Sequence, residues 1–403
     1  MVRLYRILIG LVVCIACALP RGIVSYASSQ HARVASSWLQ GWPMAGHDPQ
    51  RSSRSPLLGP THPHLARQRA DFYGSAIAPD GSIVGSLLVR QRPVLAVLSP
   101  LGRTRTLSVR ADAPVAVRPN GSIITMGADD GKAEAFSLQG KRLWSNARLG
   151  LAKSAIPLVA PDGRFFAPAE GHAEDGTSGL YILTQHGRTI RHLARGTPTF
   201  GVAYGPDGTM YTLLYDAGTS ESSVVAYAPS FEKIWRQRLS VSLETVEACT
   251  CLVVGQSGTV FVGDGNTMVA VDAHGQIAWR FDKPDGVLAI AERPDGSIVV
   301  AGNQWLTGVS EQGQKLFDAD IRQRHPRSPN DGLQKPALVV DGAGAAYVGT
   351  ADGEVLVFAN GGKLLDRLPA GGYHLGSTPR IMLGSQHTLV VTGNDGVLRV
   401  YAP

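Results

Sequence analysis

One unit recurs along this chain, and it leaves few folds open. It reads as a short apolar run, a Pro-Asp-Gly-like turn, a second β-rich run, a polar turn, a third run, a Gly turn and a final run. Residues 115–149, 251–282 and 337–368 are its clearest copies. The turn after the first run can be followed through 79–81, 119–121, 161–163, 206–208, 256–258, 294–296, 342–344 and, in degenerate form, 384–386. Successive glycines Gly81, Gly121, Gly163, Gly208, Gly258 and Gly296 stand 38 to 50 residues apart. A four-stranded unit with three hairpin turns needs about 40–45 residues. No copy keeps a helical apolar spacing, which excludes helical solenoids. The expected fold is all-β: an eight-bladed β-propeller of four-stranded antiparallel blades.

The strand chemistry agrees with that count. Runs such as "LVV" and "VFVG" are short and β-branched, as strands covered on both faces require. "ADDGK", "GDGN" and "TADGE" supply Gly, Asp and Asn where hairpins demand positive φ. Trp144, Trp235, Trp279 and Phe317 recur at one register of the fourth strand, which points to blade-to-blade packing rather than a ligand platform. The eighth unit provides three strands before the chain ends, while residues 64–70 precede the first complete blade. The last blade is therefore expected to be closed by an N-terminal strand, leaving no blade open.

Ahead of the repeats lies an export signal. Arg3 and Arg6 form a basic start, residues 7–19 are uninterrupted apolar sequence, and Ser25-Tyr26-Ala27 offers small residues for cleavage. That apolar run is short for a bilayer span. Residues 1–27 are read as a signal peptide and 28–40 as a linker. A retained anchor and lipid attachment at Cys14 or Cys17 are the alternatives, although neither cysteine sits in a good lipidation motif. The leader holds Arg3, Arg6 and Arg21 and no acid, so 38 basic residues fall to 35 against 32 acidic ones in the mature chain. No Lys/Arg run accompanies aromatics, so no nucleic-acid partner is expected. Cys249 and Cys251 stand two apart in "ACTCLVV" and read as structural strand cysteines.

Residues 41–63 are irregular and specific in composition, with Trp42, an Asp-Pro, Arg51, Arg54, a Ser-Pro and a Gly-Pro. They are expected to act as a clasp: lying across one face, anchored by Trp42, pairing Arg51 and Arg54 with acids on blade turns, and delivering 64–70 to the last blade. Residues 64–403 then form the propeller.

The stretch 42–60 resembles the segment that precedes the first blade in bacterial quinoprotein-like propellers, and copies such as "GTVFVGDGNTMVAVDAHGQIAWRFD" resemble the pyrroloquinoline-quinone (PQQ) repeat. The resemblance spans residues 42–403. It implies the eight-bladed fold and raises a PQQ-dependent dehydrogenase as the alternative function. Such enzymes set a disulfide of adjacent cysteines against the quinone, but here Thr250 separates Cys249 from Cys251. The tryptophan motif is missing at 103–109 and 188–193, and no calcium and catalytic-Asp set can be assigned. The chain accordingly resembles the non-enzymatic branch, with outer-membrane-assembly propeller lipoproteins nearest in fold. No catalytic residue, cofactor or metal site is assigned. His62 and His64, with His47-Asp48 upstream, lack the ligand spacing a metal requires. No G-x-S-x-G elbow occurs, and the recurrent "PDG" acids answer one backbone need.

The expected function is an exported, monomeric binding or scaffold module for a protein or cell-envelope partner, meeting the membrane only through an N-terminal anchor. Among the long interruptions 169–179, 215–223 and 319–335, the last carries Arg322, Arg324, His325 and Arg327 and is the expected partner site.

Overall fold

The structure is a computed structural model that describes residues 41–403 other than 111–114, 128–130, 147–148, 150–157, 170–175, 217, 240–251, 323–335, 372–378 and 394. The expected leader, Cys14, Cys17, Cys249, Cys251, Arg324, His325 and Arg327 lie outside these residues.

The described strands form eight four-stranded sheets, each antiparallel throughout. Strands are lettered a to d from the axis outward. Blade 1 runs Phe72–Ile77, Ile83–Val89, Arg92–Leu98 and Thr104–Arg110. Blade 8 takes a, b and c from Arg380–Gly384, Thr388–Thr392 and Leu398–Ala402, and its d strand is His64–Arg69. The closure is in register from His64 opposite Ala402 to Arg69 opposite Leu398, with one bulge between Leu65 and Arg67. The first and last described strands therefore share a sheet, so no blade is left one strand short.

Burial follows from the radial order. In blade 6, strands a (Ala289–Glu292) and b (Ile298–Ala301) are buried throughout, whereas the d strand of blade 5, Ile277–Asp282, alternates half-buried and exposed. The core lies between neighbouring blades: Val253, Phe261 and Met268 of blade 5 pack with Ile290, Ile298 and Val300 of blade 6.

The repeated aromatics close these seams. The indole Nε1 of Trp144 donates to Gln185 O at 3.0 Å, that of Trp235 to Ala273 O at 2.9 Å, and that of Trp279 to Glu311 O at 2.9 Å. Each acceptor sits in the c–d turn of the following blade, and the ring lies over that turn's glycine. Gly275 shows why: its φ is +81°, and a Cβ there would come 2.6 Å from the Trp235 ring. Phe317 covers Gly362 in the same manner. At the seam between blades 8 and 1 the corresponding residue is Arg67, which faces Val400 across the bulge as Trp144 faces Ala135. Its Nη1 donates to Pro100 O at 2.9 Å, so a guanidinium replaces the indole hydrogen bond.

The "PDG" acids serve their own turns. Asp80, Asp207 and Asp295 each accept the backbone N–H two residues on, at 2.9, 2.9 and 3.0 Å.

Candidate functional site

A propeller's inner strands have no further strand on their axial side, so their backbone groups there need other partners. Residues 42–57 provide them. Trp42 exchanges two backbone bonds with Ile77 of blade 1, at 3.0 and 2.8 Å. Val117 N then donates to Pro43 O in blade 2, Tyr204 N to Pro49 O in blade 4, Val254 N to Gln50 O in blade 5, and Glu292 N to Ser52 O in blade 6, all at 2.7–2.9 Å. In blade 7, Val340 N donates to Ser53 O and Ser55 N to Val340 O, both at 2.8 Å. Between these anchors Met44 is fully buried in the cluster holding Leu158 and Val159 of blade 3. Each anchor is the last residue of its a strand. The segment therefore circles the axis inside the channel, at the face of the a–b turns, and forms its floor. The expected crossing of one face takes the form of this ring.

So tight a path needs unusual backbone. His47, Arg51 and Ser53 all have positive φ (69°, 55° and 51°), a strained conformation held by the surrounding bonds. Asp48 caps the bend by accepting from Ser52 N at 2.9 Å and from the Ser52 hydroxyl. Arg51 is buried, donates from Nε to Val202 O at 2.5 Å, and burial lowers its pKa to about 10 against the pull of Asp48. Arg54 meets Glu292 at 3.1 Å, on the last residue of an inner strand rather than on a turn. Burial raises the Glu292 carboxyl, opposed by the Gln256 N–H at 2.7 Å and by Arg54.

Above this floor, toward the opposite mouth, lies a cavity of about 390 Å³. Trp42, Arg51 and Ser53 line it from below, and Leu338, Val339, Ile381 and Met382 from the sides. Arg380, the first residue of its strand, brings a guanidinium to the wall, and its Nη1 donates to Ser75 Oγ at 3.2 Å. Protein walls desolvate this group and lower its pKa, although solvent in the funnel still reaches it. None of the described lining residues carries a carboxylate. Calcium takes about six to eight oxygens, carboxylates among them. The hydroxyls of Ser53 and Ser75 are the only side-chain oxygens in this lining, so a quinone–calcium pair does not fit the described cavity.

Of the residues singled out from sequence, Arg322 stands just after the d strand of blade 6. It grips Asp320 with contacts of 2.5 to 3.0 Å and stacks 5.2 Å over Trp305, so its charge is answered locally. Trp305 also borders a second cavity, between blades 5 and 6. There the buried Lys283 donates to Asp285 at 2.7 Å and Thr307 at 3.2 Å, and burial lowers its pKa. His62 and His64 lie near the surface, and no group of three metal-ligating side chains occurs among the described residues. Sequence reasoning missed Arg380. Its only signal is an arginine immediately before the apolar "IML" of the eighth unit.

No protein-family model matches the chain, and no curated protein sequence matches it. Solved structures do. The fold is similar to that of a europium-containing methanol dehydrogenase, at 13% identity and a TM-score of 0.65, covering 93% of this chain and 100% of that one. The quinohemoprotein alcohol dehydrogenase of Comamonas testosteroni matches at 12% identity and a TM-score of 0.63, over 93% of this chain and 84% of that one. BamB from Moraxella catarrhalis matches at 13% identity and a TM-score of 0.57, over 85% of this chain and 100% of that one. At these identities the likeness shows the fold alone, and that fold is shared by proteins as different as dehydrogenases and BamB.

Proposed function

We propose that the chain is an exported, non-catalytic propeller that serves as a binding or scaffold module for a protein or cell-envelope partner. The observation that carries this reading is the axial channel. The chain's own residues 42–57 form its floor, and the cavity above offers apolar walls and guanidinium rather than carboxylates for a metal and a base. The mouth face is where d strands hand over to the next blade, and the long interruption 319–335 begins there, beside Arg322. Loops on a rigid scaffold are the usual binding elements. The basic start and apolar run of residues 1–27 support export.

Two experiments test the reading. The first is titration of the mature protein with PQQ, with and without calcium, followed by a dye-linked alcohol oxidation assay. Neither saturable binding nor turnover is expected, and micromolar binding with turnover would overturn the non-catalytic assignment. The second places a photo-crosslinking residue at Arg322 on the mouth face or at Leu101, in a c–d turn of the opposite face, in the producing cell. One discrete adduct at position 322 and none at 101 is expected. Equal labelling at both, or none at either, removes the mouth face as the partner surface.

A further inference from the structure

We propose that the mouth-side cavity binds a carboxylate carrying a short apolar body, with the Arg380 guanidinium holding the carboxylate and Leu338, Val339, Ile381 and Met382 receiving the apolar part. This goes beyond the partner reading above and does not depend on it.

The argument starts from charge accounting. Some arginines of the propeller are answered by acids, Arg399 by Asp395 at 2.5 Å, Arg322 by Asp320 at 2.5 Å and Arg367 by Glu354 at 2.9 Å, while Arg67 and Arg118 donate to backbone carbonyls of the next blade. Arg380 has no acidic partner among the described residues, and its one hydrogen bond goes to a serine hydroxyl. A guanidinium carries five N–H donors in a planar fork, so most of this fork is uncommitted. The group stays open to the funnel, so the uncommitted donors can be reached by a ligand. A bidentate carboxylate is the geometry the fork matches best.

The surroundings restrict the ligand further. At about 390 Å³ the cavity falls in the range of small-molecule sites, roughly 300–1,000 Å³. Its walls are mainly apolar side chains, so the body of the ligand must be apolar as well. Arg51, the other guanidinium in the lining, is turned to the carbonyls of Val202 and Ala45 and sits beside Asp48. One uncommitted cation matches one negative charge. A multiply charged acid would leave charge unanswered against the apolar wall. The carboxylate can belong to a free small acid or to the C-terminus of an apolar peptide.

The test is calorimetric titration of the mature protein with 2-naphthoate and its neutral counterpart 2-naphthamide, and with acetyl-Leu-Phe as free acid and as amide. Each acid that binds is expected to exceed its neutral partner by about tenfold or more in affinity. Arg380→Gln should remove that preference, and Arg380→Lys, which keeps the charge but loses the fork, should restore only part of it. Melting temperatures of both variants establish that they fold. Stronger binding of naphthoate identifies a free acid as the source, and stronger binding of the peptide acid identifies a chain terminus; both support the proposal. Equal affinity of acid and neutral partner, unchanged affinity in folded Arg380→Gln, or no binding of either acid overturns it.

Discussion

The two ends of the axial channel are built on opposite terms. At the turn face, the last residue of the a strand in six blades bonds through its backbone to residues 42–55, and the few charges present are answered within the floor or by Glu292. At the mouth, the walls are side chains, and Arg380 is a cation with no acidic partner among the described residues. The floor satisfies backbone groups that the fold itself leaves over, so it belongs to the architecture. The mouth holds a guanidinium whose one hydrogen bond goes to a serine hydroxyl. The contrast sets an end held by backbone bonds against an end walled by side chains.

Removing the floor is the most direct way to break the comparison, and it should have the largest effect. A chain starting at residue 64 keeps the closing strand but loses the backbone bonds of residues 42–57. At about 1 kcal/mol per bond, and about 2–4 °C per kcal/mol for a chain this large, its melting temperature should fall by roughly 10 °C or more. An unchanged melt would mean that the ring is decoration. Trp42→Ala, which empties a site only 3% exposed beside Ile77, should cost about 3–5 kcal/mol in chemical denaturation. A seam substitution should cost less. Gly275→Ala puts a Cβ 2.6 Å from the Trp235 ring at a φ of +81°, and a loss of more than about 1 kcal/mol is expected. A loss matching that of Trp42→Ala would place seams and floor on the same footing.

How much of this was legible in the sequence divides along the same line. Blade count, the a–b turns, the docking aromatics and the closing strand follow from local patterns: turn glycines at a recurrent spacing, an aromatic at one register of four of the fourth strands, and an eighth unit one strand short. Local backbone requirements leave a mark at fixed sequence intervals. The ring of residues 42–57 shows only as a composition, because its partners lie up to the seventh blade and its bends depend on positive φ at His47, Arg51 and Ser53, which are not glycines. Arg67 could not be recognised as a stand-in for tryptophan without the bulge that sets its register. Arg380 was invisible for another reason. What distinguishes it is its place in a cavity wall with one hydrogen bond, and neither can be read from the neighbours of a single arginine. The basic residue that attracted notice, Arg322, turns out to be gripped by Asp320 two positions away.

The charge buried in the floor gives a smaller, pH-dependent effect. Burial raises the Glu292 carboxyl above its ordinary value near 4.5, so the folded chain holds this proton to higher pH than the unfolded chain does. The group's contribution is fully present below the unfolded value and is lost as pH rises through the folded one. Glu292→Gln removes that dependence while also removing the partner of Arg54. The variant should therefore compare worst with the parent at pH 4 and best at pH 7, as read from the difference in melting temperature at the two values. The reverse trend would show that Arg54 outweighs burial and that the ion pair stabilises the floor.

Arg380→Gln should have the smallest effect on stability. The substitution removes a partly solvated cation and one long hydrogen bond to Ser75, leaves the apolar wall in place, and keeps an amide that can still donate. A change within about 0.5 kcal/mol is expected, because solvent still reaches the guanidinium and its one hydrogen bond is exposed. A clear loss would show that the guanidinium is structural, which would erase the difference between the two ends. A gain in stability together with loss of carboxylate binding would be the pattern of a group retained against the interest of the fold, as binding groups often are. Measured beside Trp42→Ala, a residue lining the same cavity from the floor, the pair separates what the channel needs to stand from what it holds open for a ligand.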